Sequence, residues 1–290
     1  MTIELHGHRG ARGLWPENSL PGFAAAIALG VTAIEMDIAL TADGVVVLSH
    51  DPGLDPDLTR LDGDWIDAPT PRVLDLTLAE LSRYDIGRIR PGSAQAGRFP
   101  DQRGLDGLRI PTLAEVVALR PEVMLSVELK THPDRPADST SPEVMADAVL
   151  AVLEEGGGLG RARVISFDWR GLRHLRRRCP GLSLGFLTDA ESLADAALWW
   201  DGPTAADYGG SIPRAVAAEA AAGAITAWGP DHEGLSEAQV AQAKALGLLV
   251  NPWTVNDEAE MTRLLGWGVG AITTDYPNRG LRAIAAFAAT

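Results

Sequence analysis

The chain has 290 residues, 46% hydrophobic and 22% charged, which is enough to build a large core and rules out global disorder. Its formal net charge of −14 argues against nucleic acid or an anionic membrane as a standing partner, though not against a phosphate ester met by a local cluster of cations. The single cysteine, Cys179, excludes an internal disulfide, and no apolar run reaches the ~20 residues of a membrane helix. Residues 1–23 hold no basic stretch followed by an apolar one, so the expectation is a soluble, cytoplasmic protein.

The first predicted strand, IELHGH at 3–8, ends on His8 and Arg9. A helix is predicted over 19–30, with Ser19 at its start and Gly30 at its end. The next strand, TAIEMDI at 32–38, carries Glu35 and Asp37 two apart and therefore on one face. Only ALTADG separates it from VVVLSH at 45–50, too few residues for a parallel crossover. The ADG turn favours a hairpin, which folds His50 back towards Glu35. Residues 51–110 are rich in Asp, Pro, Gly and Arg, and predict a small inserted subdomain at the mouth of a single domain spanning 1–290.

A helix follows at 112–120, with the Thr112 and Glu115 pattern of a capping box. The strand at 123–130 carries Glu128 and Lys130, again two apart. Further strands are predicted at 163–168, 182–187, 224–229, 248–255 and 270–275, with helices at 237–247 and 257–268. These strands are mostly continuous apolar runs, as expected when both faces are buried. Setting the hairpin return aside leaves eight strand-helix units. That predicts an α/β protein, a (β/α)8 TIM barrel with a small insertion after the second-strand hairpin.

In such a barrel the reactive groups belong at the strand ends, and here those ends are charged. Glu35, Asp37 and Glu128 cannot converge in an apolar interior without a counter-ion. Their all-oxygen donor set suits one hard divalent cation, Mg2+ or Ca2+.

The motifs HRG…PENS, EMDIALTADGVVVLSHD, VELK, WTVN and TDYP occur in this order from His8 to Pro277. In this the chain resembles the glycerophosphodiester phosphodiesterase family, of the PLC-like phosphodiesterase superfamily. The resemblance implies metal-dependent hydrolysis of small glycerophosphodiesters to glycerol 3-phosphate and an alcohol. It places the two catalytic histidines on His8 and His50, and the metal carboxylates on Glu35, Asp37 and Glu128. Arg9 and Lys130 match phosphate-contacting cations, and Trp253 an aromatic on the glycerol side. The chain departs from the pattern at Ser19, where the family more often has Thr, and at Pro252, just before Trp253. Two histidines with a reference pKa of ~6.5 can supply an acid and a base near neutrality. The attacking oxygen is that of water or of the glycerol 2-hydroxyl. Alternatives are phospholipase D-like action on lysophospholipids and a non-catalytic barrel that binds phosphate ligands.

Other residues carry plainer expectations. His6 reads as a packed core histidine beneath His8, and His174 as part of a solvated basic helix face. His132, His232 and Trp228 follow or end strands near the mouth, with substrate contact not the expected role. Glu17 and Asn18 are expected to order the first loop around Arg9, and Asp275 and Tyr276 to support the site from behind. Gly10 and Gly13 are read as letting the backbone turn close to ligand. Trp199 and Trp200 read as packing or an oligomer contact, and GGGLG at 156–160 as a loop.

Overall fold

A computed structural model describes residues 3–119 and 122–289. The chain enters through β1 (Glu4–Gly7), α1 (Leu20–Leu29), β2 (Ala33–Leu40) and β3 (Val46–Leu48). Ser19 caps α1 by accepting from the Gly22 amide, and Gly30 ends it at φ 105°, a conformation that a side chain resists. β3 returns antiparallel along β2, pairing Ile38 with Leu48 and Leu40 with Val46. This is the predicted hairpin. Continuing its register brings residue 50 opposite residue 36, one position from the expected Glu35.

The stretch 51–110 is short-range structure rather than open loop. β4 (Arg60–Leu61), β5 (Asp64–Trp65) and β6 (Tyr84–Asp85) form a separate three-stranded sheet, accompanied by α2 (Leu78–Leu81) and α3 (Ala94–Arg98). Val47, Leu54, Val73, Leu81 and Ile110 form a small apolar core of their own beneath it. Asp85 ties the segment together by accepting from the amides of Gly87, Gly107 and Leu108.

Beyond it come α4 (Leu113–Val117), β7 (Met124–Leu129), α5 (Pro142–Glu155), β8 (Ala162–Ser166), α6 (Trp169–Arg178) and β9 (Ser183–Thr188). α4 carries the expected Thr112 and Glu115 capping box. The helix predicted over 112–120 stops sooner, and residue 120 lies outside the described residues. The chain closes with α7 (Ala190–Ala194), α8 (Ala196–Trp200), α9 (Ile212–Ala218), β10 (Thr226–Pro230), α10 (Glu237–Ala245), β11 (Leu249–Val250), α11 (Glu258–Trp267), β12 (Ala271–Thr274) and α12 (Pro277–Ala288).

Among the described residues, eight parallel strands run in the order β11, β10, β9, β8, β7, β2, β1, β12. The last gap is bridged by the amides of Gly270, Thr273 and Val255, which donate to Val250, Pro252 and Thr273. The result is the predicted TIM barrel. β11 is shorter than the expected 248–255 because Pro252 has no N–H to give the ladder, and the chain leaves regular strand there. Helices pack outside, where Trp200 stacks on Trp169 at 4.0 Å between centroids. No helix among the described residues is long and apolar enough to cross a membrane.

The lower barrel interior is polar. Arg163 on β8 is fully buried and reaches both carboxylate oxygens of Glu4 on β1, at 2.8 and 3.1 Å. His6 Nε2 lies 2.9 Å from the same carboxylate. Burial alone would raise the Glu4 pKa, but His6 and Arg163 outweigh it and bring it down to about 2. A depressed carboxylate contributes stability above its unfolded pKa, and that stability is lost as pH falls through the folded value. In Glu4→Gln, the unfolding free energy should therefore fall less steeply between pH 4.5 and 2 than in the wild type, read from urea unfolding at stepped pH.

Candidate active site

β1 ends at the mouth and hands the chain to a tight loop. There Arg9 adopts φ 48° and Gly10 φ 90°. A left-handed arginine is costly and persists only where its surroundings hold it. Here the Arg9 amide donates to Glu35 Oε2 at 2.9 Å, while its guanidinium lies 2.8 Å from Glu17 and 3.0 Å from Asp37. Glu17 also pairs with Arg12. Asn18, likewise at positive φ, donates from Nδ2 to Asp37 Oδ2 at 3.0 Å. Glu17 and Asn18 thus order the first loop around Arg9 as expected. Gly10 packs on the Gly22 backbone. Gly13 has a different reason from the expected one: a Cβ there would fall 2.4 Å from the Tyr276 ring.

Glu35 and Asp37 project from β2 and Glu128 from the neighbouring β7, whose register sets Asp37 beside Glu128. The three carboxylates are buried, each with an oxygen within 4.8 Å of the others. Lys130 Nζ donates to Glu128 Oε1 at 2.7 Å and lies 3.7 Å from Asp37. Burial pushes the Glu35 carboxyl well up, and the charges of Asp37 and Glu128 add to it. Asp37 moves the other way: burial opposes its charge, but Arg9, His50 and Lys130 more than compensate. Glu35 Oε1 and Asp37 Oδ1 are buried without a hydrogen-bond partner. Crowded, unsatisfied oxygens of this kind fit a hard divalent cation, and the triad is able to hold one.

His8 stands beside the triad, its Nε2 3.9 Å from Glu35. Its Nδ1–H donates to Asp275 Oδ1 at 2.6 Å. Asn256 fixes Asp275 in turn, donating from Nδ2 at 2.7 Å and accepting the Asp275 amide. Burial holds the His8 pKa below the ordinary histidine range, and Asp275 pulls against that. His50 is half-buried, with Nδ1 2.8 Å from Asp51 Oδ1. Loss of water lowers its pKa first, and the Lys130 and Arg9 charges bring it down to about 4.

His8, Arg9, Glu35, His50, Glu128, Lys130 and Trp253 line one cavity of about 360 Å3 at the barrel mouth, with Asp37 behind them. Trp253 donates from Nε1 to the Gly229 carbonyl and meets Phe167 edge-on, with centroids 5.4 Å apart. Phe167 in turn meets Trp199 at 6.4 Å. Trp199 was expected only to pack or to contact a partner, yet it forms part of the cavity wall. Sequence reasoning also missed Phe167, Arg98 and Arg135 on this wall. Phe167 falls inside a predicted strand end, a signal that was available.

His132 reaches the cavity; His232 sits apart, 3.5 Å from Glu260. Trp228 is buried and donates to Thr188 Oγ1 instead of lining the site. His6 is a core histidine, as expected, and His174 pairs with Asp147 on the helix surface.

Fold and site together are a TIM barrel with a buried acidic triad, two histidines and two cations at its mouth. Residues 8–279 match the model of the glycerophosphoryl diester phosphodiesterase family, and the chain belongs to that family. Among curated proteins it is 29% identical to a glycerophosphodiester phosphodiesterase of Bacillus subtilis, covering 93% of this chain and 83% of that one. A solved structure from Silicibacter pomeroyi DSS-3, described as a putative glycerophosphoryl diester phosphodiesterase, superposes with TM-score 0.88 at 35% identity, covering 98% of this chain and 94% of that one. A phosphodiesterase from Oleispira antarctica, solved with the product sn-glycerol-3-phosphate, shares the fold with TM-score 0.72 at 24% identity, covering 97% and 96% of the two chains.

Because Asp275 is the largest influence opposing burial at His8, with Asp37 a smaller one, its removal has a defined sign. In Asp275→Asn the His8 imidazole should titrate lower still, followed by its NMR ring-proton shifts. An unchanged His8 titration would show that Asp275 does not set its proton affinity.

Proposed function

We propose that the protein hydrolyses small glycerophosphodiesters to glycerol 3-phosphate and an alcohol, as one catalytic domain over 1–290 whose segment 51–110 covers the mouth, acting in the cytoplasm. The observation that carries this reading is the convergence of Glu35, Asp37 and Glu128, with unsatisfied oxygens, beside two histidines and two cations.

In this reading the three carboxylates hold one divalent cation, Mg2+ or Ca2+. When bound, it supplies Lewis-acid charge stabilisation at the phosphoryl group. Arg9 and Lys130 face the diester's negative charge and stabilise what grows on its oxygens in the transition state. Arg9 suits this because Glu17 and Asp37 hold its guanidinium before substrate arrives. Of His8 and His50, one takes the proton of the attacking oxygen and the other gives one to the departing alkoxide. Asp275, fixed by Asn256, keeps the His8 proton on Nδ1 and so leaves Nε2 free to act. Both imidazoles are held neutral near pH 7, the base's working state; the acid must be protonated as substrate charge enters. Trp253 offers its ring to the glycerol arm.

Release of glycerol 3-phosphate from glycerophosphocholine tests the proposal. His8→Ala and His50→Ala should each lower kcat by roughly 10²–10⁴-fold with the circular dichroism unchanged. Near wild-type turnover in either would overturn its assignment. Excess chelator should abolish turnover, and Mg2+ or Ca2+ should restore it; full activity in chelator would refute the metal role.

A further inference from the structure

Arg12 is a buried cation at the mouth that the proposed reaction leaves without a task. On one side it meets the inserted segment. Its guanidinium lies over the Phe99 ring, 4.6 Å from the centroid, and Nη2 donates to Gln95 Oε1 at 3.4 Å. Gln95 belongs to α3, and Phe99 caps the end of that helix. Gln102 Nε2 donates to the Arg12 carbonyl at 2.7 Å, and the Arg103 amide donates to the Leu14 carbonyl at 2.9 Å. Residues 95–103 are thereby fastened to the first loop, with Arg12 at the centre of the contact.

On its other side Arg12 meets Glu17, whose two carboxylate oxygens are divided between two guanidiniums. Oε2 pairs with Arg12 Nε, and Oε1 accepts from Arg9 Nη1 at 2.8 Å. Burial raises the Glu17 carboxyl, but the Arg9 and Arg12 charges hold it below the ordinary carboxylate range. A buried carboxylate gripped from two sides has one orientation; with one grip removed it turns with the other. Arg12 itself is poorly placed to take a ligand, because Phe99 covers a face of its guanidinium and Glu17 holds Nε. Its contacts instead form a chain that runs from the inserted segment through Glu17 to Arg9.

We propose that Arg12 is a positioning residue: it transmits the docking of residues 95–103 through Glu17 to the Arg9 guanidinium, and so fixes Arg9 against the phosphoryl oxygens of the diester. The assignment rests on the phosphodiesterase reading and adds a residue to it. Arg12 changes no bond at phosphorus. What it supplies is the place of a cation, and a transition state is stabilised only by donors already at the right distance.

The test is a pair of mutant cycles on the full chain, with Mg2+ and glycerophosphocholine. Arg12→Gln should lower kcat/KM about tenfold, mainly through kcat, and Phe99→Leu, which removes the ring but keeps apolar bulk, about threefold; both fall short of the ~10²-fold that a 1 Å misplacement can cost. Made again on Glu17→Gln, each should cost less than about twofold, because the link it acts through is already cut. A residue that met substrate itself, or merely held the fold, would cost the same factor on either background. That result, or near wild-type turnover in Arg12→Gln, would overturn the assignment while leaving the phosphodiesterase reading intact. Phe99→Leu decides by the same comparison if the circular dichroism shows that Arg12→Gln does not fold. A wild-type chain that releases glycerol 3-phosphate from neither glycerophosphocholine nor glycerophosphoglycerol would overturn both.

Discussion

The charge balance around Arg9 is the constraint on which the mouth of this barrel depends. A buried guanidinium and buried carboxylates are each prohibitively costly alone. Placed together they fix one another. Arg9 answers Glu17 and Asp37 with its side chain and Glu35 with its amide. This threefold grip is a physical reason for the left-handed backbone at Arg9: a conventional φ would turn its side chain relative to its amide, and the two holds could not be kept together. Asn18, strained in the same way, braces Asp37 from the other side. The strain belongs to the loop, but what it secures is the position of two acidic side chains on the adjacent strand.

The balance is deliberately incomplete. Arg9, Arg12 and Lys130 are three cations against Glu35, Asp37, Glu128 and Glu17. The opposite pulls on Glu35 and Asp37 express that deficit: one carboxyl is driven towards its neutral form while its neighbour keeps its charge. A second polar layer lies deeper, where Arg163, Glu4 and His6 cross the barrel and Asn251 links His6 to Thr273. There the carboxylate of Glu4 has both oxygens met by Arg163 and His6, whereas above it Glu35 Oε1 and Asp37 Oδ1 stay without a hydrogen-bond partner. The contrast between carboxylates answered below and unanswered above marks the upper layer as the place where a cation from outside fits.

Much of this was legible from local pattern. Strands buried on both faces read as apolar runs, so a charge at a strand end stands out, and spacing by two puts Glu35 with Asp37 and Glu128 with Lys130 on shared faces. The ADG turn was enough to give the hairpin to within one residue, because a tight turn sets the register. What stayed hidden was contact between distant parts of the chain. His8 and Asp275 are 267 residues apart, and Asp275 was expected only as general support. Asn256, which fixes it, gave no signal at all, and neither did Arg163, since an arginine in a strand reads as an end or an edge until its partner is seen. Residues 51–110 resisted for another reason. Their strands are two residues long, too short for any period to show, and the segment coheres through Asp85 and through Leu54, Val73, Leu81 and Ile110 packed with Val47 of β3, instead of through repeated pattern.

The hairpin explains why an insertion at this point matters chemically. By returning antiparallel along β2, β3 delivers His50 to the edge of the triad and releases the chain into the segment 51–110 directly beside it. The last barrel residues and the first inserted ones are therefore neighbours of the same imidazole: Arg9 and Lys130 lower its pKa from the barrel side, and Asp51 holds its Nδ1 from the inserted side. A change beside His50 in the inserted segment acts on the cavity there without disturbing β2 or β7, where the carboxylates are fixed. The fold thus separates two tasks that a single loop would confound. The barrel strands hold the charged cluster, and the segment after the hairpin supplies the wall on the other side of His50.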